Sequence, residues 1–231
     1  FNLVMNFNST IPEVNKKLEN ILIIGSGGRE NSLGWAIQKN ELIKKIYLSP
    51  GNGGSEKIKK CIRIDLDITD KKDLINNLKS LDIDLVVIGP EIPLAAGLGD
   101  YLRKNDFDVF GPNQDGAKLE YSKSWAKEFM KKANIPTSKS WEIDSFEEAE
   151  KIINSSRDPL VVKADGLASG KGVFIPKSKD ESIQATKAIL NGKFGKSGQV
   201  VVLEEKIQGP EVSIFALCDG EKYVLLPTAQ D

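Results

Sequence analysis

Histidine is absent from all 231 residues. That absence removes serine–histidine triads, histidine-ligated zinc and histidine acid–base chemistry from this stretch. Cysteine is scarce: Cys61 and Cys218 stand far apart, outside any metal-ligand spacing, and read as two buried free thiols of a reducing compartment. No run approaches the roughly eighteen consecutive apolar residues that a membrane span needs. Charge of one sign is lacking too. Lysine and arginine total 32 against 33 acids, a net −1 without a basic block, which argues against a nucleic-acid or membrane surface. Residues 1–20 lack the positive head and apolar core of a secretory signal and read as a mobile tail, so a cytoplasmic protein is expected.

What is present is 40% hydrophobic and 28% charged, long enough to bury a core in one or two domains. The first half alternates. ILIIG (21–25), IYLS (46–49), CIRID (61–65), DLVVIGP (84–90) and DVFGP (108–112) read as strands. ENSLGWAIQKN, with Leu33, Ala36 and Ile37 at helical spacing, DKKDLINNLKSL and GLGDYLRKN read as helices between them. This rhythm predicts a parallel sheet covered on both faces, a Rossmann-like α/β layer over 21–113.

From about residue 114 the pattern becomes α+β. Residues 116–136 read as one amphipathic helix, with Leu119, Trp125, Phe129 and Met130 as its apolar side and Ile135-Pro136 as its end. TSKSWEI, LVVKA, GVFIP and VVVLEEKI read as strands. SFEEAEKIINSS, with Ser145 and Glu148 as a capping box, and DESIQATKAIL read as helices. Residues 210–227 form a hairpin turning at Asp219-Gly220. No internal repeat or low-complexity tract interrupts the chain.

Three glycine loops follow strands: GSGGREN (25–31), SPGNGGS (49–55) and GPE (89–91). On a parallel sheet they share its carboxyl edge, where open α/β folds bind ligands. Glycines at a helix start let backbone N–H groups approach an anion; they also serve a bare strand–helix turn, and the first motif alone does not separate the two. Glu30 stands where the dinucleotide fingerprint needs its third glycine, and Ser49 stands where an acid should end the second strand, so nicotinamide binding is disfavoured.

VVKADGLASGKGV (161–173) resembles a Walker loop but is one residue short, and Gly172 replaces the metal-binding hydroxyl. It reads as a glycine flap between two antiparallel strands. Lys163, inside a valine-rich strand, requires an anionic partner; Lys171 sits on the flap. Two lysines and a run of backbone N–H groups suit a polyphosphate. VVVLEEKIQGPEVSI (200–214) then delivers Glu204 and Glu205 to a strand end, followed by a linker whose backbone could meet an adenine edge, and by Glu211. In isolation these acids are more commonly a charged hairpin shoulder; the order of lysine strand, glycine flap, lysine and acidic linker shifts the balance toward a nucleotide.

Together, ILIIGSGGREN, SPGNGG, DLVVIGPEIPLAAGLGDYL, VFGP, AKLEYSKSWAKEFMKKANIPT, PLVVKADGLASGKGV and VVLEEKIQGPEVSIFALCDG resemble the ATP-grasp enzymes and, among them, the phosphoribosylamine–glycine ligase family. The resemblance runs from Ile21 to Asp231. It implies ATP-dependent ligation of glycine to 5-phosphoribosylamine through a glycyl phosphate, in purine biosynthesis, by a monomer. It implies that Lys123, Lys163, Gly166, Ser169, Gly170, Lys171, Gly172, Glu204, Glu205, Ile207 and Glu211 meet the nucleotide. Gly27, Gly28, Arg29, Glu30, Pro50, Gly51, Asn52, Gly89, Pro90 and Glu91 would line the phosphoribosylamine and glycine side. Domain bounds follow: a tail over 1–20, a substrate domain over 21–113, a linking helix and lid over 114–205, and the start of a central subdomain over 206–231. The family's ligands for Mg2+ or Mn2+ are expected beyond Asp231, so this stretch is expected to be catalytically incomplete. Asn31 replaces the histidine usual after Gly-Arg-Glu. Alternatives are another ATP-grasp ligase or carboxylase, or a non-catalytic nucleotide-binding module.

Overall fold

The computed structural model describes residues 17–166, 171–195 and 199–230. Its contacts divide the chain into two units between Tyr121 and Ser122.

In the first unit the strands are β1 (Asn20–Gly25), β2 (Lys45–Pro50), β3 (Cys61–Arg63), β4 (Leu85–Ile88) and β5 (Asp108–Phe110). The helices are α1 (Gly28–Ile37), α2 (Lys71–Ser80), α3 (Glu91–Ala95), α4 (Leu98–Lys104) and α5 (Gln114–Tyr121). All five strands run parallel in the order β3-β2-β1-β4-β5. The period-two alternation of side chains explains why both faces are covered. Leu22, Ile24, Val86 and Ile88 meet Leu74, Leu78, Leu98 and Leu102 on one face, while Ile21, Ile23, Ile46, Leu48 and Val87 cluster with Cys61 and Ile43 on the other. Asp70 starts α2 by accepting from Asp73 N at 3.0 Å. The expected Rossmann-like layer is therefore present, and order begins before Ile21: Asp84 Oδ2 accepts from Glu19 N and Asn20 N at 2.7 and 2.8 Å. Most of the expected tail, residues 1–16, lies outside the described residues.

The second unit contains α6 (Lys123–Lys132), β6 (Ser140–Ile143), α7 (Phe146–Ser155), β7 (Val161–Ala164), β8 (Val173–Phe174), α8 (Lys179–Ala188) and β9 (Val201–Glu204). A hairpin of β10 (Ala216–Cys218) and β11 (Tyr223–Leu225) follows. Strands β6-β9-β7-β8 form one antiparallel sheet. Ile143, Val162, Ala164, Val201 and Leu203 point into a core closed by Ala149 and Ile153 of α7 and by Ile189 after α8. Register then places Lys163 opposite Val202, and Glu204 opposite Ser140 and Val161, on the other face. The hairpin turns as expected, with Asp219 Oδ1 accepting from Glu221 N and Lys222 N.

The single helix expected over 116–136 is instead two helices. Ser122 leaves helical geometry (φ −121°, ψ 106°) and its side chain caps α6 by accepting from Trp125 N at 3.3 Å. Gln114 ties α5 to the first unit: its N–H donates to Asp100 Oδ2 at 2.7 Å and its side chain donates to Ala95 O at 2.8 Å. The division thus falls at 121, not at the expected 113. The apolar side read across this region is not buried, since Leu119 and Phe129 are exposed. Nor are both thiols buried: Cys61 is, and burial raises its pKa, whereas Cys218 is exposed on the hairpin. No helix among the described residues is long and apolar enough to cross a membrane.

Candidate functional site

The first unit's site begins with Glu30, which is only 5% exposed. It is the third residue of α1, and its Oε2 accepts from Gly27 N, the residue before the helix, at 2.7 Å. This reach back from the third helical position satisfies a donor that the helix itself cannot. The side chain lies among three glycines. A Cβ at Gly25, Gly27 or Gly89 would come within 2.5, 2.8 and 2.2 Å of Glu30 atoms. These glycines are therefore required by a protein carboxylate, whatever ligand they also face. At Gly28 a Cβ would meet nothing within 4 Å.

The second loop braces the first. Asn52 Nδ2 donates to Ser26 O and Gly27 O at 2.9 and 3.2 Å, and its Oδ1 accepts from Gly54 N at 2.8 Å. Ser55 Oγ accepts from Asn52 N at 2.9 Å and donates to Asn31 Oδ1 at 2.8 Å. Asn31 is thus a structural tie between the loops. Gly51 N donates to Gly25 O, and Gly89 N donates to Ile24 O. At the carboxyl edge of β1, β2 and β4 a cavity of about 340 Å³ opens, beside the point where strand order reverses. Of the residues expected there, Gly27, Arg29, Glu30, Pro50 and Pro90 line it. Gly28, Gly51, Asn52, Gly89 and Glu91 do not; the loop bonds show Gly51, Asn52 and Gly89 shaping its wall. Ser26, Ser49 and the apolar Leu66, Ile68 and Pro93 also line it, none of which the sequence had assigned to this site.

In the second unit, Glu204 is 7% exposed and collects cations. Its Oε1 lies 2.9 Å from Lys163 Nζ. Its Oε2 lies 3.2 Å from Lys127 Nζ and accepts from Ser138 Oγ at 2.8 Å. Burial pushes the Glu204 carboxyl up, but hydrogen bonds from Lys163 and Ser138, with the charges of Lys163 and Lys127, outweigh it and hold it below the ordinary value of 4.5. Lys127 also donates to Thr137 Oγ1 and Ser138 O, pinning the segment between α6 and β6. At the end of β7, Asp165 accepts from Lys123 N and Ser124 Oγ at 2.6 and 2.7 Å, and Lys123 Nζ donates to Gly166 O at 3.2 Å. Gly166 has φ +93°, a conformation that disfavours any side chain.

Lys163 and Glu204 are thus paired on one face of the β7–β9 sheet, and Lys123 is held to Gly166 just beyond the end of β7. Gly172 is buried and its carbonyl accepts from Ala164 N, while Lys171 and Glu205 are exposed. Ser169 and Gly170 lie outside the described residues. Ile207, 72% exposed, and Glu211 carry no side-chain hydrogen bond or ion pair among the described residues. The sequence reading missed Asp165, Lys127 and Ser138. Lys127 looks like a surface lysine, and only Asp165's place inside the KADG run hinted at a role. No three acidic or cysteine side chains among the described residues come together in a way that could hold a metal ion.

Comparison with known proteins gives a consistent picture. The family description "Phosphoribosylglycinamide synthetase, N domain" matches residues 19–120, and "Phosphoribosylglycinamide synthetase, ATP-grasp (A) domain" matches 121–231. A phosphoribosylamine–glycine ligase of Nostoc sp. is 41% identical over 211 residues, covering 91% of this chain and 50% of the relative. The crystal structure of the Thermotoga maritima phosphoribosylamine–glycine ligase is similar at TM-score 0.72 and 32% identity, over 90% of this chain and 49% of that one. An ADP complex of N5-carboxyaminoimidazole ribonucleotide synthetase shares the fold at TM-score 0.70 and 19% identity, over 92% and 54%. The chain spans about half the length of the phosphoribosylamine–glycine ligases it matches.

Two outcomes are expected. Gly89→Ala, whose Cβ would lie 2.2 Å from Glu30 Oε1, should lose about 1–3 kcal/mol in denaturant unfolding. Adding Glu30→Ala should recover part of that loss; strictly additive losses would show that the glycine does not serve the carboxylate. For Glu204 the folded pKa lies below 4.5, so its contribution to stability is full above 4.5 and is lost as pH falls through the lower folded value. Urea midpoints should therefore drop more steeply below that pH in the wild type than in Glu204→Gln, and parallel curves would contradict the ion cluster.

Proposed function

The chain belongs to the phosphoribosylglycinamide synthetase family, and from that premise we propose that the protein carrying it joins glycine to 5-phosphoribosylamine using ATP. A glycine carboxylate oxygen attacks the γ-phosphorus and the bond to the departing ADP breaks, leaving glycyl phosphate. The sugar amine then attacks the carbonyl carbon. The C–N bond forms, phosphate leaves, and the amine gives up a proton. The products are glycinamide ribonucleotide, ADP and phosphate, in cytoplasmic purine synthesis by a monomer.

One observation carries the reading: two ammonium groups, each with one strong partner and donors to spare, flank the end of a single strand. Lys163 contacts Glu204 Oε1 and Lys123 contacts Gly166 O, while an ammonium has three N–H groups. Both retain capacity for phosphate oxygens, and Gly166, Ser169, Gly170, Lys171 and Gly172 of the same sequence motif are assigned to the phosphates with them. Glu204, Glu205, Ile207 and Glu211 are assigned to the base and ribose. The cavity of the first unit takes the phosphoribosylamine and glycine side, with Arg29 at its rim for an anionic group. What such residues supply is positioning and neutralisation of phosphate charge. ATP-grasp enzymes use a divalent metal, Mg2+ or Mn2+, to neutralise phosphate charge further. The described residues of this chain do not fit such a site, so none is assigned to it.

In the purified protein, ADP formation is expected to require glycine. Lys163→Met should lower it about a hundredfold, about 2.7 kcal/mol of transition-state stabilisation. Near-normal turnover in a folded Lys163→Met protein would remove Lys163 from the site.

A further inference from the structure

Asp165 lies two residues after Lys163, in a motif whose other polar residues have been assigned to the nucleotide. We propose that Asp165 is a positioning residue that acts through Lys123, fixing the start of α6 against the end of the strand that carries Lys163. The inference rests on the nucleotide-binding reading above.

The geometry is specific. Asp165 Oδ1 accepts from Lys123 N at 2.6 Å and from Ser124 N at 3.2 Å. Oδ2 accepts from Ser124 Oγ at 2.7 Å and from Ser122 Oγ at 3.4 Å. Asp165 is itself fixed to the sheet, its N–H donating to Val200 O at 3.0 Å. The next residue, Gly166, turns at φ +93° and offers its carbonyl to Lys123 Nζ at 3.2 Å. Main chain and side chain of Lys123 are thereby held by consecutive residues.

Helix capping alone does not explain this arrangement. Ser122 already caps α6 from within its own sequence, accepting from Trp125 N. The Asp165 carboxylate comes from 42 residues downstream. What it adds is a fixed position for α6 relative to β7. It also occupies the N–H groups at the helix start, where an anion would otherwise bind. A ligand phosphate is therefore directed to the lysine ammonium groups. Because the carboxylate grips the Lys123 main chain while the ammonium goes to a carbonyl, the ammonium is left for the ligand's phosphate.

The test is a double-mutant cycle on binding of a non-hydrolysable ATP analogue by calorimetry, in the protein carrying this sequence. Asp165→Asn keeps shape and one acceptor but loses the charge and the second acceptor oxygen. It is expected to weaken binding about tenfold when Lys123 is present and less than about twofold in a Lys123→Met background. Equal weakening in both backgrounds, or none in either, overturns the proposal while leaving the nucleotide site standing. Failure of the wild type to bind the analogue overturns both. If Asp165→Asn does not fold, Ser124→Ala, which removes the 2.7 Å bond and leaves the carboxylate, is subject to the same comparison with the same expected non-additivity.

Discussion

A carboxylate withdrawn from water must be answered by hydrogen bonds and positive charge, and Glu204 imposes that requirement on the second unit. Lys163 on the neighbouring strand, Lys127 from α6 and Ser138 from the connecting segment all converge on it. Removing one partner of such a pair leaves the other stranded, at about 3–5 kcal/mol in comparable buried pairs. The same contact orients Lys163 on the polar face of a sheet whose opposite face is packed with valine, isoleucine and leucine. The stability of the second unit and the orientation of Lys163 therefore depend on one cluster.

The first unit follows a related logic. Glu30 is also a buried carboxylate, but it is answered by a backbone N–H and by space that glycines leave for it. Its position makes one wall of the cavity at the carboxyl edge of the parallel sheet. Asn52, Ser55 and Asn31 hold that wall by linking two loops that lie on different strands. In the first unit a buried acid orders the glycine-rich backbone; in the second, Glu204 and Asp165 gather lysine and serine side chains and the start of α6.

Much of the fold was legible because its signals are periodic and local. The alternation in ILIIG and LVVI, each followed by a helical stretch, leads directly to a parallel sheet. Ser145 caps α7 through Glu148 N as its spacing implies. The helix break at Ser122 was hidden because apolar spacing continued across it, and the serine that ends one helix and caps the next is common on helix surfaces. Glu30 read as a failed fingerprint, yet its spacing of three from Gly27 is that of a helix-start carboxylate, a signal available in the sequence. Lys127 had no local signal and Asp165 only its place in the KADG run, since their partners lie 41–43 residues upstream for Asp165 and include Glu204 far downstream for Lys127. Long-range polar contacts of this kind are set by the packing of elements and not by spacing.

The central claim is that Lys163 is held by Glu204 in readiness for a polyphosphate. The most direct measurement is a crystal structure of the protein with a non-hydrolysable ATP analogue. The expected result places a phosphate oxygen within hydrogen-bond distance of Lys163 Nζ, with Lys123 Nζ turned toward the same phosphate chain. A bound analogue lying elsewhere, with Lys163 satisfied by Glu204 alone, would contradict the account.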